Sequence, residues 1–145
     1  EDMALAALFS GMALANSGLG AVHGFAAPVG GQFAAPHGAV CAALLAPVWQ
    51  ANLIAAREAG TQETLARFQM TAALLTGKPD ARAEEALPVL QGLAKRLRIP
   101  GLASYGVQLD DLDALALKAS RASSMKGNPV ALDLPALRAI LQSAL

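Results

Sequence analysis

Apolar positions in the first third of the chain follow the period of a helix. Leu5, Leu8, Phe9 and Met12 stand at i, i+3, i+4 and i+7, one face of a 3.6-residue repeat. With Asp2 in an N-cap place and Gly18 as a stop, the pattern predicts a helix from Asp2 to Ser17. Gly18 and Gly20 then mark a break before a short second helix through His23. The stretch "PVGGQFAAP", residues 28–36, carries two prolines and a Gly-Gly pair and reads as a loop. Pro36 suits the first turn of a third helix. That helix holds His37 in its opening turn and runs to about Ala59, with Gly60 closing it and Pro47 implying a kink or boundary inside it.

Later segments repeat the pattern with more polar faces. Residues 61–77 predict a helix with Leu65, Phe68, Ala72 and Leu75 on its apolar side, an imperfect capping box at Thr61 and a stop at Gly77. Residues 80–98 predict another, acidic early and basic late as the helix dipole favours, with a kink at Pro88. "IPGLASYGV" reads as a linker or turn, "DDLDALALKAS" as a short helix with an acidic start, and residues 125–133 as a turn-rich loop. A last helix starts near Leu134–Pro135 and runs to the end. No segment alternates β-branched or aromatic residues with polar ones as a half-buried strand would. Ala and Leu dominate instead, and the expected class is all-α.

Charge changes this picture. The chain of 145 residues carries 11 basic and 11 acidic side chains. Glu1 and Asp2 apart, none of them precedes Arg57. An ordinary amphipathic helix has a charged outer face, and residues 3–56 have none. The chain thus divides into a charge-free part, residues 1–56, and a part of amphipathic helices, residues 57–145, within one helical domain. Three explanations compete for the charge-free part: a membrane segment, a fully buried core, or a surface covered by something outside this chain.

Residues 38–56 have about the length of a membrane span. Pro47, Gln50 and Asn52 interrupt them, however, and no basic cluster flanks them to set an orientation. The acidic start is unlike a signal peptide. Membrane insertion is therefore not expected, and a net charge of zero gives no grip on nucleic acid. A single cysteine, Cys41, excludes an internal disulfide, fits a reducing, cytoplasmic location and reads as a small buried hydrophobe. The chain begins Glu-Asp-Met, which favours a piece of a longer protein and so the covered-surface explanation.

Both histidines, His23 and His37, lie in the charge-free part, fourteen residues apart. Zinc and iron take imidazole readily, and catalytic sites draw three or more ligands from separate elements. One histidine at a helix end and one at a helix start could converge across a loop, yet two ligands alone make no tight site. On spacing alone, satisfied core or surface histidines explain the pair better than a metal does. Other motifs carry less. "GLGAVHG" lacks the preceding strand that a dinucleotide loop needs. The Ser, Tyr and Lys of "ASYG" and "SSMKGNP" sit in turn signals. Asp110, Asp111 and Asp113 read as a helix cap, and Trp49 as packing on a helix face.

The stretch "NSGLGAVHGFAAPVGGQFAAPHGAVCAALLAPV", residues 16–48, resembles the iron-containing (group III) alcohol dehydrogenases. In that family a GLGxxH-type helix end leads through HxxxHPLG to a P-H-G. Pro28, Gly30, Pro36 and Gly38 stand in the matching places, and "SSMKGNPVALDLPALRAILQSAL" is similar to the family's Asn-Pro-containing C-terminal segment. The resemblance covers the entire chain. It implies the family's C-terminal helical bundle, of the dehydroquinate synthase-like type, with His23 and His37 as two ligands of a divalent metal, iron or zinc. It implies an oxidoreductase interconverting an alcohol and an aldehyde with NAD or NADP, the nicotinamide cofactor held mainly by an upstream domain.

Two departures qualify it. The family often has a second histidine four residues after the first, where this chain has Ala27. The remaining two ligands, an Asp and a His, and the glycine-rich nucleotide-binding domain come from upstream and are absent from these residues. The chain alone is therefore expected to be inactive and, with an uncovered apolar surface, to form dimers or larger assemblies. No catalytic residue is assigned on this reading. The alternatives are a non-catalytic helical binding or oligomerisation module, and a family member with lost or altered metal chemistry.

Overall fold

A computed structural model describes residues 1–145 and contains no strand. Seven α-helices follow in order: α1 (Asp2–Ser17), α2 (Ala21–Gln32), α3 (His37–Glu58), α4 (Gln62–Thr76), α5 (Ala86–Arg96), α6 (Leu112–Ser120) and α7 (Leu134–Ser143). Short 3-10 turns at Ala83–Glu85, Leu102–Tyr105, Leu109–Asp111 and Ser123–Gly127 link them.

The main core lies where α2, α3, α6 and α7 meet. Phe25 and Val29 of α2, Val40 and Leu44 of α3, Leu112 and Leu115 of α6, and Leu137 and Leu141 of α7 are sealed from solvent. The turn at Leu102–Tyr105 closes this core rather than serving as a linker. Leu102 is fully buried, and its N–H donates to the Ala144 carbonyl at 2.8 Å, tying the turn to the end of α7. A smaller cluster of Ala72, Ala81 and Ala86 sits beside Trp49, where α4 and α5 pack on the second half of α3. Trp49 meets Phe68 edge-on at 4.6 Å and donates its indole N–H to the Ala83 carbonyl. α3 is long and apolar enough to cross a membrane, and it packs against α2, α4, α5 and α7.

α1 stands apart. It has no buried residue and meets α2 at 98°, across a break at Gly18, whose φ of +75° is one that L side chains rarely adopt. The expected face of Leu5, Leu8, Phe9 and Met12 forms, but all four are exposed.

Two sequence expectations, the loop at residues 28–32 and the single helix over 80–98, are corrected by packing. Residues 28–32 are not loop: α2 begins before His23 and continues through Pro28 to Gln32. An interior proline costs ~3 kcal/mol or more, and burial of Phe25 and Val29 contributes ~1.5–3 kcal/mol each, enough to hold the helix together. α3 passes Pro47 without a boundary. Residues 80–98 are not one kinked helix: the regular part starts at Ala86, so Pro88 falls in the first turn of α5, where its missing N–H has no partner to lose. The Glu85 carboxylate, accepting from the Arg82 N–H at 3.0 Å, holds the turn before it.

Two caps also differ. Thr61 turns its hydroxyl back to the Ala56 carbonyl instead of closing a capping box. Asp133, not singled out in the sequence, caps α7 by accepting from the Ala136 N–H at 2.8 Å.

Candidate metal centre

The two histidines meet at the starts of two helices. His23 is in the first turn of α2 rather than at a helix end, and His37 opens α3 as the sequence suggested. From His23 to Gln32 the helix climbs ~14 Å at 1.5 Å per residue. The connector Phe33–Pro36 is extended at both ends and turns tightly between them, the Ala35 N–H donating to the Phe33 carbonyl at 2.7 Å. α3 then starts with His37 beside His23. The two imidazole rings lie 5.3 Å apart, tilted by 49°. His23 is half-buried and His37 exposed.

Cys41 stands one turn beyond His37 on α3, its Sγ 3.5 Å from His37 Nε2. It is only half-buried, not the sealed hydrophobe expected. Partial burial holds its thiol above the ordinary range. The donor atoms of His23, His37 and Cys41 all lie within 4.8 Å of one another. Ala27, four residues after His23, is exposed.

A polar support missed by sequence reasoning fixes the start of α2. Gly20, its N-cap residue, has no side chain to offer. Asn128 supplies one from 107 positions away: its Oδ1 accepts the Ala21 N–H at 3.0 Å. The Asn128 amide also pairs both ways with Asn52, the one buried polar residue, and donates to the Val130 carbonyl. This close approach needs small residues. A Cβ at Gly20 would stand 3.1 Å from Asn128 Oδ1, and one at Gly127 would run into the backbone carbonyl of Leu19.

The other sequence motifs resolve as structure. Asp111 accepts from the Gln108 N–H at 2.9 Å, and Asp113 pairs with Arg138 at 3.0 Å. Tyr105 and the Ser123–Gly127 turn sit in separate 3-10 turns.

The donor chemistry fits a divalent ion. Two imidazoles and a sulfur converge from two helices, the ligand types that zinc and iron accept. The chain spans little more than a third of the length of the relatives it matches. It is 32% identical over 144 residues to alcohol dehydrogenase 4 of Saccharomyces cerevisiae, covering 99% of this chain and 36% of that protein. It is 34% identical over 152 residues to the NAD-dependent methanol dehydrogenase of Bacillus methanolicus, covering 100% and 38%. The fold matches a crystal structure of 1,3-propanediol oxidoreductase with a TM-score of 0.82 at 29% identity, over 99% of this chain and 37% of that one. The family model for the C-terminal part of the Fe-containing alcohol dehydrogenases matches residues 1–145. With the all-helical fold and these relatives, that match places the chain in the Fe-containing alcohol dehydrogenase family, as its C-terminal domain.

Proposed function

We propose that this chain is the metal-binding C-terminal part of an NAD(P)-dependent enzyme interconverting an alcohol and an aldehyde. The observation that carries the reading is the His23–His37 pair, brought to 5.3 Å at the starts of α2 and α3. His23 and His37 would hold a divalent ion through their ring nitrogens and fix it against the helical domain. Such an ion would supply Lewis-acid chemistry toward the substrate oxygen. The Asn128 and Asn52 amides hold the turn on which His23 rides. The exposed apolar face of α1 lies against the rest of the enzyme. The isolated chain offers two of the expected ligands and no nucleotide-binding loop, and it turns over no substrate.

The test is made in the intact enzyme. His37→Ala is expected to lose bound metal and most alcohol oxidation while keeping its helical circular dichroism. Full metal content and full rate in that variant would refute the assignment.

A further inference from the structure

We infer that Cys41 is a third donor of the same centre, giving this chain a face of two nitrogens and one sulfur that suits a borderline-soft divalent cation of the zinc class. The inference rests on the histidine half-site proposed above and adds the sulfur to it. The first support is distance. Metal–nitrogen bonds of ~2.1 Å and a metal–sulfur bond of ~2.3 Å at tetrahedral angles put nitrogen and sulfur about 3.6 Å apart. Cys41 Sγ and His37 Nε2 are 3.5 Å apart.

An S–H hydrogen bond to His37 would bring those two atoms equally close. It would not require His23, from a different helix, to place its own nitrogen within 4.8 Å of both. The second support is thus that three donors of two chemical types, from two helices, gather within 4.8 Å of one another. Exposure is the third: His37 is open to solvent and Cys41 only half-buried, so an ion can enter without unfolding the core. Binding forms a metal–sulfur bond and releases the thiol proton to solvent, with no change of oxidation state. Thiolate raises the preference for zinc-class ions over hard, oxygen-seeking ions such as magnesium.

Cobalt(II) titration of the full chain, followed by absorption, tests this. The expected result is a thiolate-to-cobalt charge-transfer band in the near ultraviolet together with visible ligand-field bands. Cys41→Ala should lose the charge-transfer band, keep ligand-field absorption from the histidines, and bind zinc more weakly. The loss should be at least the roughly 10- to 100-fold that even outer-sphere partners are worth. Circular dichroism of the variant confirms that it folds. Ligand-field absorption without a charge-transfer band, identical in wild type and Cys41→Ala, overturns the sulfur and leaves the histidine half-site standing. A charge-transfer band that survives His37→Ala also overturns the three-donor centre. Absence of any cobalt uptake overturns the three-donor centre and leaves the histidine reading to the intact enzyme.

Discussion

Glycine positions separate tight packing from mere space. Gly24 and Gly127 both lie where α2 meets the Ser123–Gly127 turn. A Cβ at Gly24 would meet the flexible end of Met125, 2.7 Å from its Cε, whereas one at Gly127 would meet the Leu19 backbone. Gly24→Ala should therefore be tolerated within ~1 kcal/mol as Met125 shifts. Gly127→Ala should cost more, in the ~1–3 kcal/mol range of overpacked sites. Denaturant melts of the two variants check the contrast, and equal losses would contradict it. Phe25→Ala, emptying a fully sealed position, should cost ~3–5 kcal/mol by the same assay. At this scale the sequence was partly legible. The histidines were identifiable as a pair. Cys41 stands four residues after His37, a helical spacing that makes the two neighbours and contradicts reading Cys41 as a buried hydrophobe with no histidine at such a spacing.

Among the elements, periodicity located the helices, and tertiary packing decided their limits. Helix α2 shows why. Its prolines and glycines read locally as loop, yet Phe25, Ala26 and Val29 face α3 and α6, and no local signal reveals that. The Asn128 cap was equally illegible, since its partner at Ala21 is 107 residues distant. Asn128→Ala leaves the Ala21 N–H and the buried Asn52 amide without partners, which should cost ~1–3 kcal/mol for each unsatisfied group. Because that cap sits two residues before His23, metal affinity should fall as well. Zinc titration calorimetry on the folded variant would contradict the coupling if affinity were unchanged.

The turn at Ala83–Glu85 carries a pH signature. The Arg82 backbone hydrogen bond, and then Lys78, lower the Glu85 pKa below its ordinary 4.5. That contribution is present above the ordinary value and is lost as pH falls through the lower folded one. Glu85→Gln should flatten stability in that acid window, as measured by thermal melts across pH.

On the whole-molecule scale, the absence of charge from residues 3–56 takes two physical forms. In α2 and α3 it is core, with Phe25, Val29, Val40 and Leu44 sealed. In α1 it is surface, with Leu8 59% and Phe9 60% exposed. Such a face favours association when nothing covers it. The isolated chain is expected to form dimers or larger species at micromolar concentration, and Leu8→Glu with Phe9→Glu should shift it toward monomer. A monodisperse monomer in light scattering would contradict this.

Everything proposed for the site depends on His23 and His37 holding one metal ion. X-ray absorption at the edge of the bound metal reads its ligands directly. Imidazole scattering is predicted in the wild-type protein, and His23→Ala and His37→Ala should each lose it together with the bound metal. A spectrum without imidazole scattering, or one unchanged by either substitution, would contradict it.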